Sequence, residues 1–222
     1  MFHVKHIPLL ILLFISMNSL GQSYFSLPER TFNPTVYREQ DIIKQLHRET
    51  RFKMLLPEEQ EFYYWVNLLR KSPSRFFTVA VKPFLDTFPE LKGKESRSLE
   101  HDLIRAEPMP LLLYSKVLYE AAMDHATDLA NKANRLSHES SNGMSFSMRM
   151  KTNGINKCAA ENLYQGENRP FFALMMLLLD MGMEVPGHRK NLLNPNYKLM
   201  GVAVQKHKGG SYHLLVQDFS CL

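Results

Sequence analysis

Glycine and proline are scarce in this chain, at 10 and 12 of 222 residues, and no internal repeat or low-complexity tract is present. With 45% hydrophobic and 22% charged residues, that excludes a collagenous or disordered chain and leaves room for one well-buried core. A basic stripe interleaved with aromatics is also missing. The formal net charge is +5, but Lys and Arg are scattered beside acids, as in Arg38-Glu39 and Arg48-Glu49. Nucleic acid is therefore not an expected partner, and the charge reads as a solvated surface compatible with acidic cell-envelope polymers. No apolar run is long enough to span a bilayer comfortably, and no cysteine follows the one near the start, which argues against a lipid-modified amino terminus. Two catalytic signatures are missing as well. There is no G-x-S-x-G elbow, and His138-Glu139-Ser140-Ser141-Asn142 has Asn where the metalloprotease motif needs its second His.

What the amino terminus does have is a basic start at Lys5, an apolar run from Ile7 to Met17, and small residues around Ser19-Leu20-Gly21. This pattern predicts a secretory signal peptide over residues 1–21, the alternative being an anchor left uncleaved. The mature chain is expected to be secreted or periplasmic, with no transmembrane segment after cleavage. Two cysteines remain, Cys158 and Cys221. In an exported chain such a pair either forms a bridge across 63 residues, contributing about 4 kcal/mol in the chain-entropy model, or leaves two separate buried thiols.

Hydrophobic spacing predicts the elements. Residues 22–57 read as an N-terminal extension, extended to Pro34 and then helical over Thr35–Phe52. Pro57 opens a helix whose buried face is Phe62, Trp65, Val66 and Leu69, stopped at Ser72-Pro73. A helical piece over Phe76–Phe88, a charged loop over Glu90–Arg97, a helix over Ser98–Ile104 and an extended Glu107–Pro110 follow. Ser115 caps a helix with Leu118, Ala121, Ala122, His125, Leu129 and Ala130 along one face. A short helix over Phe146–Met150, a strand over Ala159–Tyr164 and an apolar helix from Pro170 to Asp180 come next. Lys198–His207 and Ser211–Phe219 form a hairpin about Lys208-Gly209-Gly210. The order, helices first and then a small antiparallel sheet, predicts one α+β domain over 58–222.

The polar residues with chemical potential cluster in the last third: His138 in LSHES, Glu161 and Asn162 in CAAENLY, Asp180 in LLLDMG, and His188 and Arg189 in PGHRKN. His125, on an apolar helix face, reads as a satisfied core histidine, while His207 and His213 on the hairpin read as exposed. Imidazole nitrogens from His138 and His188 suit zinc, with Glu161 and Asp180 completing the coordination shell or orienting the rings; the alternative is a hydrogen-bonded network tying loops to the sheet. Acid–base or metal-assisted hydrolysis by Glu161 with His138 and His188 is physically coherent as well.

The ordered series EEQEFYYWVNLLRKSPSRF, AAMDHATDLA, LSHES, AENLY, PGHRKNLLNPNYKLMGVAV and QDF resembles the CAP superfamily of SCP-like extracellular proteins, in its compact bacterial branch. The resemblance implies a three-layer α-β-α sandwich with an open cleft holding two His and two acids. His138, Glu161 and His188 match that pattern. At the fourth position many relatives carry Trp followed by Glu, whereas this chain has Asp180, with Glu184 behind it. The functional expectation is a binding module for a cell-envelope polymer, lipid or peptide through His138, Glu161, Asn162, His188 and Arg189, with zinc as the candidate cofactor. The alternative is a peptide or cell-wall hydrolase using the same cleft.

Overall fold

The computed structural model describes residues 30–34, 38–132 and 136–221. The expected signal peptide and residues 22–29 of the lead-in lie outside them. Among the described residues no helix is long and apolar enough to cross a membrane.

Helix α1 covers Gln40–Leu46 and is followed by a 3-10 turn over Thr50–Met54, where the sequence predicts a single helix. The break falls where residues 47–51 supply no apolar side chain to continue the buried seam of Ile42 and Leu46. Helix α2 (Pro57–Lys71) buries the expected face and, in addition, Tyr63, Tyr64, Leu68 and Arg70, so it sits inside the domain rather than on it. Pro73 then starts α3 (Pro73–Phe76), which continues through a π-helical turn (Phe77–Val81) into α4 (Lys82–Thr87). Helix α5 (Lys94–Arg105) begins inside the charged stretch expected as a loop. The Gly93 N–H donates to Ser96 Oγ at 2.9 Å, and Ser96, Leu99 and Leu103 form a buried seam that outweighs the surrounding charge.

The short strand β1 (Leu113–Tyr114) precedes α6 (Lys116–Lys132) and α7 (Phe146–Thr152). Strand β2 (Ala159–Gly166), α8 (Pro170–Leu179), α9 (Gly187–Leu192), β3 (Leu199–Lys206) and β4 (His213–Ser220) complete the chain. The sheet order is β1-β3-β4-β2, antiparallel except that β1 joins β3 in parallel. Neither β1 nor α9 is signalled by periodicity, because each is too short to develop one.

Strand alternation sorts the sheet into two faces. Met200, Val202, Val204, Leu215 and Phe219 face the large core with α2 and α8. Leu163, Ala203, Leu214 and Val216 pack against Ala122, Ala126, Leu129 and Ala130 of α6. The alanines let α6 lie close, and at Gly201 the approach is complete: an added Cβ would fall 2.2 Å from the main-chain carbon of Leu118. Helices thus cover both faces, giving an α-β-α sandwich. The core also takes Ile42, Leu46 and Phe52, so the end of the N-terminal extension packs with the domain.

Two buried ionisable side chains fix α2. The Arg70 guanidinium donates to the main-chain oxygens of Pro110, Leu192, Asn194 and Tyr197 at 2.9–3.0 Å, and burial draws its pKa down to about 10. Glu59 accepts from Leu56 N–H at 3.0 Å and from Val204 N–H at 3.1 Å, satisfying β3 beyond the end of short β1. At the opposite end of the sheet, Cys158 and Cys221 are disulfide-bonded with Cα atoms 5.7 Å apart, joining the start of β2 to the end of β4.

Burial pushes the Glu59 carboxyl up to about 7 from its ordinary 4.5, against the pull of its two N–H partners. The folded state therefore holds the proton more tightly than the unfolded chain. The associated stability is complete below about pH 4.5 and lost as pH rises through about 7, a span of about 3 kcal/mol. Calorimetric melting between these pH values is expected to show a falling midpoint, and Glu59→Gln to remove most of that slope. Cys158→Ser is expected to cost about 4 kcal/mol in urea unfolding, as the loop-closure constraint is lost.

Candidate functional site

The middle of the β2–β4 ladder carries polar residues on both faces of the sheet. Glu161 lies opposite Asp218, and Asn162 opposite Gln217. All four side chains are buried, and successive residues alternate, so each pair serves a different face.

On the α6 face, Glu161 Oε1 accepts from His138 Nδ1 at 2.8 Å and Oε2 from Arg149 Nη2 at 2.5 Å. Glu161 is 1% exposed and His138 56%, so the acid is a buried support and the imidazole its solvent edge. Arg149 comes from α7 and also donates from Nη1 to the main-chain oxygen of His138 at 2.8 Å and to Ser140 Oγ at 3.3 Å. The LSHES turn is held from the other side by His125, whose Nε2 lies 2.9 Å from Ser137 O and Nδ1 3.2 Å from Ser140 Oγ. Burial lowers the His125 pKa, against the opposing pull of Glu161, so the ring is a neutral loop anchor. Ser137 Oγ accepts from Glu139 N–H at 3.0 Å and is engaged in the turn.

On the α8–α9 side, α8 ends at Asp180 in the left-handed conformation, with φ at 50°. That kink turns its carboxylate toward the first turn of α9. Oδ1 pairs with His188 Nδ1, and Oδ2 accepts from Arg189 N–H at 2.9 Å. The two histidine–acid pairs are joined through β2. Asn162 Nδ2 donates to His188 O at 3.3 Å and to Gln217 Oε1 at 3.1 Å. Asn191 Nδ2 donates to Asn162 Oδ1 at 2.8 Å and to Glu161 O at 3.4 Å, latching α9 onto the strand.

These placements separate the expected site residues by what each side chain touches. The expected ligand set falls into two histidine–acid pairs, His138 with Glu161 and His188 with Asp180. Both oxygens of each acid are committed to a ring N–H and to a second donor, so the acids orient imidazoles and are not directed at a metal. Among the described residues no three His, Cys, Asp or Glu side chains are grouped to hold a metal ion. The residues present do not fit a zinc centre supplied by four protein ligands. Arg189 is not a ligand contact either: it is 2% exposed, with its guanidinium on Leu178 O at 2.7 Å and on Ser98 Oγ and Asp102 Oδ2 at 2.9 Å each. Asn162, fully buried between Gln217 and Asn191, is likewise a latch. Glu184 lies in the exposed turn before α9. His207 and His213 are half-buried, His207 stacking on Tyr212 at 4.5 Å between ring centres.

Arg149 and Asp218 were not singled out from the sequence. Asp218 had a signal: once the hairpin and the β2 strand are set in register, the acid of QDF falls opposite the acid of AENLY. Arg149 had none, because a lone Arg on a seven-residue helix carries no local mark of burial.

The model of the Cysteine-rich secretory protein family, CAP, matches residues 64–219. The chain belongs to the CAP family. Among solved structures, this CAP chain is similar to an extracellular protein containing a SCP domain from Bacillus anthracis, at 22% identity and a TM-score of 0.48. That match covers 75% of this chain and 44% of the Bacillus protein, so the chain spans less than half of that relative. It is also similar to the venom allergen-like protein 4 of Schistosoma mansoni, at 13% identity and a TM-score of 0.46, covering 75% and 89% of the two chains. An outer surface protein from Borrelia burgdorferi aligns at 16% identity and a TM-score of 0.42, covering 57% and 87%. No curated protein matches by sequence.

Among the described residues, Arg149 is the guanidinium paired with Glu161, which lies across from Asp218. Arg149→Met is expected to cost about 3–5 kcal/mol in denaturant unfolding, because Glu161 would be left charged and half-paired beside Asp218.

Proposed function

We propose that this CAP chain is an exported binding module, freed of residues 1–21, with residues 22–57 as an extension of the domain over 58–222. Its ligand is a component of the cell envelope, a polymer, lipid or peptide, received at the imidazole edges of His138 and His188. The observation that carries this reading is the commitment of both acids. Glu161 and Asp180 each hold an Nδ1 in place, which leaves Nε2 of each ring for a ligand, with the His138 side chain 56% and the His188 side chain 18% exposed. Both oxygens of each carboxylate already accept a hydrogen bond, which favours a holding role for the acids over that of a general base toward a substrate. Two oriented rings on a rigid strand-and-helix support suit recognition, where preorganisation lowers the ordering cost of binding.

The test is sedimentation of the mature chain with purified envelope material, beside His138→Ala and His188→Ala. Each variant is expected to weaken binding about tenfold, equivalent to about 1.4 kcal/mol, without changing the melting midpoint by more than a few degrees. Release of peptide or sugar fragments that stops in folded Glu161→Gln would instead make the protein a hydrolase.

A further inference from the structure

Among the described residues near His138, Asp218 is the side chain that the network leaves with no hydrogen-bond partner at all. It lies in the middle of β4, fully buried, with Glu161 directly across on β2 and Gly201 across on β3. Gly201 is where the main chain of Leu118 presses on the sheet, so α6 closes Asp218 off from above. Neither carboxyl oxygen of Asp218 has a hydrogen-bond donor among the described residues. An ionised carboxylate so placed would lose its hydration with nothing in return, which is strongly unfavourable.

The charges nearby do not relieve it. Arg149 directs Nη2 at Glu161 and Nη1 at the His138 loop, and its Nε has no partner among the described residues. His125 is neutral and aimed at Ser137 and Ser140. His138 faces Glu161. One guanidinium is therefore set against two carboxyls, and Glu161, with both oxygens already accepting, is the one held as the anion. Two acids that share a site and one cation resolve the conflict by keeping a proton between them.

We infer that Asp218 is an uncharged acid whose O–H donates to Glu161, and that through this shared proton it is the residue that positions His138. The proton stays on Asp218. Glu161 then accepts from three donors, His138 Nδ1–H, Arg149 Nη2–H and Asp218 O–H, and is fixed against rotation toward Arg149 alone. Burial and the neighbouring Glu161 charge both hold the Asp218 proton in place, in that order of strength. The inference concerns the support of His138 and stands whichever ligand the ring meets.

Two measurements on the mature chain test it. Infrared difference spectra of wild type against Asp218→Asn at neutral pH should show a carboxylic-acid C=O stretch lost in the variant, and no lost carboxylate band. A lost carboxylate band would overturn the inference. Nitrogen-15 NMR of the neutral His138 ring should show the Nδ1–H form in wild type and in Asp218→Asn, whose amide still donates to Glu161. In Asp218→Ala that preference should be lost. Retention of the wild-type tautomer in folded Asp218→Ala would reduce Asp218 to a packing residue and also overturn the inference.

Discussion

Glu161 and Asn162, with Asp218 and Gln217 opposite them, place four polar side chains at the centre of a sheet covered on both sides by helices. Such groups are tolerated inside a protein only when each finds a partner, so their surroundings are strongly prescribed. The α6 face has to supply a cation and a loop, and α7 and the LSHES turn do so. The other face has to supply amide and carbonyl partners, and α9 does so through Asn191 and His188. The two histidines of this CAP domain are thus held by a single step of one strand, through side chains that point in opposite directions.

The same use of buried ionisable side chains recurs around the main core. Arg70 collects four main-chain oxygens from segments whose ends would otherwise lack donors, and Arg189 joins α8 to α5. Glu59 completes the ladder of β3 past the two-residue strand β1. In each case a long charged side chain replaces regular pairing where the sheet is too narrow to provide it. The disulfide adds a covalent stop beyond Glu161 and Asp218, at the end of the β2–β4 ladder opposite the Gly166–His213 pair.

Much of this was legible from local pattern. The α6 face of Leu118 and its alanines, the Pro57 start of α2, and the hairpin about Gly209-Gly210 all follow from periodicity and turn chemistry that act over a few residues. The histidines and acids of the site stood out because they cluster in short motifs of the last third of the chain. Arg189 and Asn162 misled for the same reason: a polar residue beside a site residue looks like part of its surface. Both belong to the supports behind it.

The sequence by itself determined the element types, the α+β layering and the motif series that marks the family, since hydrophobic period and turn residues are local properties. Tertiary structure alone decided the charge balance. Whether Glu161 binds a metal or holds a ring, and whether Asp218 is charged or neutral, depends on which residues the β2–β4 register and the packing of α6 and α7 bring within about 3 Å, the range of a hydrogen bond. Burial also sets the energy of each charge, and burial is a property of the whole fold.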